Sequence, residues 1–586
     1  MPVTHLPMQI DDARIFGSLD PFIEPGAPLG RISANTGWFR ALMQKGNFDQ
    51  YHIFLPLPSD IDACHEQYRR SFGSLPGFGK LRLLCMSELP FQLASHSYHV
   101  FHLSDPVSRF SQLQRLRNAC ARKPFPITCV THSLSYGDYP ALFAEHVWKG
   151  TLPCDAVFCT SQAALYAVSA MYSLRGARNL PRPALLHVPL GVDCAQFHDP
   201  ASPSGRAARE NMRRRLRIQD HECLLLAFAR ISHASKMDLL PVFRALRRAM
   251  HASGEVKLRL VAAGTVLAQD PLPAALPETA AAMGVKLDIL PNPNAGERAA
   301  LYAAADIFLS PSDNIQETFG LTLLEAGVSG LPIIASDFDG YRDIIVHGET
   351  GLLVPTLQPD TFGVFDALSR LLTPDHTHLY LSQQTVVDVS ILASHIHRLA
   401  QNAALRASMG MAARKRAIQT YSSAACLDAC LTHWEHLRRL CPERISKKQK
   451  TLRHPAEPDF AGVFAAWPSK HVRIKDDKAG ALPRGQAGST SKHDAEKRRE
   501  QPFICRRSAA GDELYQRKAA LFVYRGLERY ICEERIRALL FLARKPININ
   551  MLISLLAERA ACGRECAGFC VMWALKHDLL EEDVDA

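Results

Sequence analysis

Short apolar runs separated by polar stretches of helical period recur through most of the chain. Tyr51 to Leu55, Tyr98 to Leu103 and Ile127 to Val130 each read as a strand. Cys154 to Cys159 reads as another, with Ser161 placed to cap the helix that follows. Behind a glycine-containing stretch around Gly30, Trp38, Phe39, Leu42 and Met43 recur at helical spacing. From residue 222 the alternation is more regular, with strands at Cys223 to Phe228, Val256 to Gly264 and Val285 to Leu290. Helices are expected at Asp238 to His251 and Ala295 to Ala304. Alternation through 222–356 predicts a doubly wound parallel sheet.

Leu309 to Pro355 is the most densely patterned stretch and reads as loop, helix, strand, loop, strand. Pro311, Asp313 and Asn314 break the chain before the apolar helix Leu321 to Val328, and Gly330-Leu331-Pro332 stops that helix ahead of a strand ending at Ser336. After Pro355 the chain turns helical through closing helices over Leu399 to Tyr421, and a further helix is expected at Ala424 to Leu440. Residues 442–510 lose their large apolar side chains and read as a charged flexible linker, either solvated or touching anionic lipid. Asp512 to Leu580 regains a pattern of three or four short helices, with Pro546 to Asn550 as a turn between two of them.

The 586 residues suit three or four domains, and 47% hydrophobic with 22% charged residues describes a globular chain. No signal-peptide pattern opens it, since Pro7, Asp11 and Asp12 fall where an apolar region would be needed, and no run reaches the ~18 apolar residues of a spanning helix. A cytoplasmic location is expected, with peripheral contact at the inner face of a membrane left open. The 16 cysteines sit in apolar segments, so packing is the expected role, including for Cys426 with Cys430 and for Cys562, Cys566 and Cys570. A formal charge of +10 suits nucleic acid, anionic lipid or an enzyme working near a membrane. The tail's second helix lacks the Arg, Lys, Asn and Gln cluster of a base-reading face, so nucleic acid is not expected as a partner.

The chemistry gathers at the loop-to-helix junction. Glu317 falls just before the helix and Glu325 eight residues later, so both carboxylates can face one cleft. Free N–H groups and the helix dipole favour an anion at the helix start. Phosphate there, with carboxylates nearby for hydroxyls, points to a nucleotide sugar. Parallel sheets bind ligands beyond the carboxyl ends of their strands, which places His132 at a cleft, unless a neighbouring backbone group simply satisfies it. His102 stands as the weaker candidate.

Glu317-x7-Glu325 within ETFGLTLLEA, followed by GLP, the DGYRD loop and GETGLLVP, resembles the donor-site signature of retaining glycosyltransferase family 4, the group 1 glycosyltransferases. The resemblance covers about residues 1–440 and includes His187 to Asp193 with Phe197, similar to the family's interdomain segment. It implies an α/β GT-B fold of two doubly wound Rossmann-like domains facing a cleft, plus a mainly helical C-terminal extension. The implied division is an acceptor-side domain over 1–200, completed by helix 424–440, and a donor-binding domain over 201–423. After these come the linker at 442–510 and a small helical domain at 511–586.

By the resemblance, Arg230 and Lys236 hold the donor diphosphate, Glu325 takes the ribose hydroxyls and Glu317 takes hydroxyls of the sugar. Backbone amides of Phe319, Gly320, Leu321 and Thr322 add hydrogen bonds, Gly30 and Arg31 approach the diphosphate and acceptor, and His132 lies near the transferred sugar. Ala229 stands where the family has glycine, and the interval from Arg230 to Lys236 is one residue longer than the family's. The implied activity is retaining, front-face transfer from a nucleotide sugar to a hydroxyl, in cell-envelope polysaccharide or glycolipid synthesis. No cofactor and no metal are expected, the nucleotide sugar being a co-substrate. The acceptor is a glycan, a lipid-linked glycan or a small molecule. Two other readings are a regulatory or scaffolding protein with a degenerate transferase domain and a helical interaction tail, of helix-turn-helix character and open to DNA binding, and a nucleotide-sugar hydrolase or epimerase.

Overall fold

The computed structural model describes residues 13–23, 30–107, 109–173, 179–253, 257–266, 272–458, 460–464, 467, 472, 474, 503–524 and 526–583. By its contacts the chain forms two compact units. One comprises Met1–Phe54, Cys64–Leu83 and Leu93–Ile445, and the other Leu55–Ala63, Leu84–Gln92 and Ser446–Ala586.

The first unit holds two open sheets. Strands β1 (Ile15–Ser18), β2 (Gln50–Leu55), β3 (Leu81–Cys85), β4 (Tyr98–Leu103), β5 (Ile127–Val130), β6 (Ala156–Cys159) and β7 (Ala184–His187) run in the order β3-β2-β1-β4-β5-β6-β7. Strands β8 (Glu222–Phe228), β9 (Lys257–Gly264), β10 (Lys286–Pro291), β11 (Ile307–Ser310), β12 (Ile333–Ser336) and β13 (Gly351–Val354) run β10-β9-β8-β11-β12-β13. Neighbours in the second sheet pair in parallel. Strand order reverses between β1 and β4 in one sheet and between β8 and β11 in the other, and at such a switch point adjacent loops diverge and leave a crevice.

Both faces of the second sheet are covered, which is why its strands are apolar throughout. Leu225, Leu258 and Leu260 pack with Phe243 and Leu246 on one side, while Leu224, Leu226 and Val261 pack with Tyr302, Phe308 and Leu323 on the other. The helix predicted at Leu321 to Val328 occupies those residues, and the one at Ala295 to Ala304 does too, closed by an Asn294–Glu297 capping box. The closing helices expected through Leu399 to Tyr421 are Val389–Gln401 and Ala403–Tyr421, divided at Asn402, whose side chain accepts from Leu405 N and caps the second. The small antiparallel pair β14 (Thr356–Leu357) and β15 (Val386–Val387) follows β13.

The helix Ser423–Leu440 returns to the first sheet. Trp434, 1% exposed, donates from its indole to Thr128 Oγ1 at 3.0 Å and sits among Phe16, Trp38, Phe48 and His102. At the same end of the chain's path, Val192 N donates to Tyr421 O and Ser423 N to Val192 O, at 2.8 and 2.9 Å. Elsewhere under this sheet lies a wholly buried ion pair, Arg117 with Asp155. Arg117 Nη2 donates to Asp155 Oδ2 at 3.0 Å and its Nη1 to Phe125 O at 3.0 Å, while Gln114 Nε2 and Leu152 N also donate to the carboxylate.

In the second unit, helices Ala509–Tyr515, Glu533–Leu542, Ile549–Arg559 and Arg564–Lys576 enclose a core of Leu539, Leu552, Leu556, Cys570 and Val571. A three-stranded antiparallel sheet accompanies them, with β16 (Ile504–Arg507) between β17 (Ile547–Asn548) and β18 (Leu580–Glu582). Residues 547–548, expected as an interhelical turn, pair with Ile504 and Cys505 instead. Two-residue strands carry no periodicity to read. The expected linker over 442–510 falls largely outside the described residues; within it lie helices Lys447–Thr451 and Phe460–Val463 and strand β16. Cys566 and Cys570 are buried in the helical core, and Cys426 and Cys430 are buried on the returning helix. No described helix is long and apolar enough to cross a membrane.

Two loops at the switch point of the second sheet are tied together by Asp313, 4% exposed, whose Oδ2 accepts from Asp238 N at 3.2 Å. Burial and the Asp238 charge push its carboxyl up to about 7. A folded-state pKa above the unfolded value means the folded chain holds a proton that the unfolded chain has released, so this group's contribution falls as pH rises from about 4 to about 7.

Two stability outcomes follow from these buried groups. Asp155→Ala, leaving the Arg117 guanidinium unpaired, is expected to cost about 3–5 kcal/mol in urea unfolding, and pairing Arg117→Met with Asp155→Leu recovers much of it. Asp313→Asn keeps the acceptor oxygen but cannot ionise. Its melting temperature relative to wild type should therefore be higher at about pH 8 than at about pH 5, and a difference that stays constant would mean that Asp313 ionises normally.

Candidate functional site

A cleft of about 980 Å³ opens at the carboxyl ends of both sheets. From the second sheet, the loop after β8 brings Arg230 and Lys236, the loop after β11 brings Glu317 to Gly320, and the helix Leu321–Val328 adds Leu321, Thr322 and Glu325. Gly30 and His132 line it from the first sheet. Of the site residues singled out from the sequence, all but His102 thus border one cavity. Gly30 does so as the first residue of the helix Gly30–Lys45, where a loop residue was expected.

Lys236 and Glu317 form the tightest ion pair in the cleft, their side chains 14% and 13% exposed. Lys236 Nζ also donates to Tyr341 Oη at 3.1 Å, and Tyr341 Oη donates to Glu317 Oε2 at 3.1 Å, with Ser310 Oγ 2.8 Å from the same phenol. Burial alone would neutralise both charges, but each overcomes that penalty in the other. The Glu317 carboxyl lies below its usual value and the Lys236 ammonium above its own. The interval from Arg230 to Lys236 is accommodated by a curl, since Lys236 N and Met237 N both donate to Ser232 O. Among the described residues no ion pair holds Arg230, which lines the cleft with its charge unspent.

Ala229, where the family has glycine, has no left-handed backbone, so a methyl group is tolerated. The close approach falls on Gly264 at the end of β9 (φ +141°), where an added Cβ would lie 1.8 Å from Ala229 O. Gly320 is the other position that demands glycine. It caps the helix Leu321–Val328 at φ +112°, and a Cβ there would press on the Tyr341 ring at 2.7 Å. The tight turn leaves the first amides of that helix free of side-chain caps and bordering the cleft.

Glu325, one turn inside, is 8% exposed. Arg298 Nη1 lies 3.3 Å from Oε1 and Tyr302 Oη donates to Oε2 at 2.8 Å. Burial still raises its carboxyl above the usual value, against the pull of Arg298 and the hydrogen bond from Tyr302. Arg298 further donates to Gln196 Oε1 at 2.8 Å and stacks 5.1 Å over Phe197, which joins the helix Ala295–Ala304 to the segment entering from the first sheet. Sequence reasoning passed over Arg298, Tyr302 and Tyr341. Tyr341 lies inside the DGYRD motif, whereas Arg298 and Tyr302 carry only the i, i+4 spacing of any helix face.

His132 Nε2 lies 3.1 Å from Asn35 Oδ1, and burial with the nearby Arg31 charge pushes its pKa down to about 3, so the ring is neutral. His102 is not at the cleft. It is 2% exposed, bonded to Thr128 Oγ1 at 2.9 Å and packed on Trp38. Across the cleft the two halves touch where Ser133 Oγ donates to Gln316 O at 2.9 Å and Gln162 N donates to Asp343 Oδ2 at 2.7 Å. Among the described residues no group of three or more His, Cys, Asp or Glu is arranged to hold a metal ion.

With this geometry in hand, the comparisons are specific. A family model, Glycosyl transferases group 1, matches residues 208–385. The D-inositol 3-phosphate glycosyltransferase of Corynebacterium glutamicum (strain R) is 32% identical over 188 residues, 32% of this chain and 43% of that protein. The phosphatidyl-myo-inositol mannosyltransferase of Mycobacterium leprae (strain TN) is 34% identical over 116 residues, 19% of this chain and 30% of that protein. The chain thus matches less than half the length of these relatives. A solved glycosyltransferase from Rickettsia africae ESF-5 covers 73% of this chain and 99% of its own, at a TM-score of 0.51 and 14% identity, a likeness of fold. The two sheets facing a cleft are a GT-B fold, and residues 208–385 match the group 1 glycosyltransferase family.

Proposed function

We propose that the cleft transfers a sugar, with retention of configuration, from a nucleoside diphosphate sugar to an acceptor hydroxyl. The observation that carries this reading is the convergence at one switch point of Arg230, Lys236, the free amides before and within Leu321–Val328, and the carboxylates Glu317 and Glu325. Cations and amides suit a diphosphate, and carboxylates suit the hydroxyls of ribose and sugar.

In this scheme Arg230 and Lys236 hold the diphosphate together with the amides of Phe319 to Thr322. Glu325 takes the ribose hydroxyls and Glu317 those of the sugar. Gly30 lets the first sheet's helix approach the phosphates closely. His132, neutral and held by Asn35 and by the backbone at Ser104, borders the transferred sugar without bringing a charge. Arg298, already on Glu325, orients that carboxylate.

No side chain here serves as a nucleophile with its own base. The bond from the anomeric carbon to the diphosphate oxygen breaks while the acceptor oxygen bonds to the same face. The acceptor proton passes to the departing phosphate oxygen. Negative charge grows on that diphosphate in the transition state, so fixed cations stabilise it more there than in the ground state. The scheme asks for no divalent metal, because Arg230, Lys236 and the helix start supply the positive charge. The likeness to an inositol-phosphate glycosyltransferase and a phosphatidylinositol mannosyltransferase supports a small-molecule or lipid-linked acceptor and a place in glycolipid synthesis, with a glycan acceptor in polysaccharide synthesis as the other course of the scheme.

Uridine, guanosine or adenosine diphosphate should raise the melting temperature of the purified protein, and if none does the reading fails. With the donor so found, Lys236→Ala and Glu325→Ala are each expected to lower transfer more than ~10-fold in folded protein, whereas unchanged rates would refute the assignment of these residues.

A further inference from the structure

The cleft is chemically divided. Arg230, Lys236 and Arg298 all lie on the side of the second sheet. On the side of the first sheet the described lining offers one guanidinium, Arg31, which already has a partner within the protein, and one carboxylate, Asp105. His132 adds no charge there, because its ring is neutral. The rest of that wall is hydroxyl and phenol, with Tyr136 and Tyr139 set 4.9 Å apart between ring centroids and both partly exposed to the cleft. Asp375, from the helix Pro374–Ser382, closes the same region with a second carboxylate.

We infer that this half of the cleft binds the acceptor as an uncharged, polyhydroxylated ring, a sugar or cyclitol without phosphate, laid against Tyr136 and Tyr139 with hydroxyls on Asp105 and Asp375. The inference rests on the proposed transfer reaction. A pyranose or cyclitol shows weakly positive C–H groups on its faces and O–H donors at its rim. The faces suit the negative faces of aromatic rings, and the rim suits carboxylates that only accept. A phosphate monoester would bring a charge of about −1.5 to −2 beside two carboxylates, with one engaged guanidinium to offset it.

The phenols fit this use. Burial first, and then Asp105, raise the Tyr139 phenol above its ordinary value, so it stays an O–H donor at any working pH. No hydrogen bond within the described residues takes up that hydroxyl, whereas Tyr136 Oη accepts only a long one, 3.5 Å from Gln316 Nε2. Gln316 also has a buried Oε1 with no partner in the protein. It belongs to the same loop as Glu317, so a ring on the tyrosines would border the donor sugar.

The test uses the full chain with whichever nucleoside diphosphate raises its melting temperature. Saturation-transfer NMR compares methyl glucoside and myo-inositol with glucose 6-phosphate and myo-inositol 1-phosphate. The neutral probes are expected to give the stronger signals. Tyr139→Leu and Asp105→Asn should each weaken the methyl glucoside signal about fivefold while leaving nucleotide affinity within about twofold. Stronger signals from the phosphorylated probes, or methyl glucoside binding undiminished in both variants, overturn the inference while leaving the donor reading standing. A protein that binds no nucleotide sinks the donor reading and this inference with it.

Discussion

The ion pair of Lys236 with Glu317 organises the cleft. It joins the loop after β8 to the loop after β11, the two segments that diverge at the switch point of the second sheet. Neither charge could stay ionised there alone, since burial penalises both. Tyr341 completes the triangle and fixes where the pair lies, and the absence of a Cβ on Gly320 lets the Tyr341 ring come close enough to do so. Asp313 repeats the arrangement one layer behind, binding the same two loops through Asp238 N. The geometry of this half of the site is thus built from contacts within the protein, before any ligand contributes.

Charge is distributed unevenly around that pair. Arg298 is committed to Glu325 and Lys236 to Glu317, whereas Arg230 keeps its charge for the cleft. The carboxylates are therefore held in place by cations that also neutralise them in part, and an incoming diphosphate meets a surface whose net sign is positive. On the opposite wall the polar groups are phenols, hydroxyls, one carboxylate and the engaged guanidinium of Arg31 around a neutral His132. Such a division orients a two-ended ligand by electrostatics as well as shape.

Much of this was legible in the sequence because its signals are local. The helix Leu321–Val328 announces itself by an apolar run between Gly320 and Gly330, and the alternation through 222–356 gives the second sheet. One interior strand of the first sheet was not legible. β1, Ile15–Ser18, has only Ile15 and Phe16 ahead of Gly17 and Ser18, so no apolar run shows, although β2 and β4 both pair with it. Arg298 and Tyr302 were missed for another reason. Their helix was readable, but their partner Glu325 comes from a different helix, and a contact across two helices leaves no fixed spacing. The tail's sheet escaped because β17 is two residues long and β16 meets it and β18 only across the intervening helices, which leaves no local spacing to read.

The return of the helix Ser423–Leu440 to the first sheet has a mechanical consequence. The chain passes between the two sheets twice, and the two passages are stitched to each other by Val192 N to Tyr421 O and Ser423 N to Val192 O. A doubled, hydrogen-bonded crossing bends more readily than it stretches or twists. Neither passage can therefore shift without the other, and Trp434, buried in the first sheet with its indole on Thr128 Oγ1, anchors the second of them.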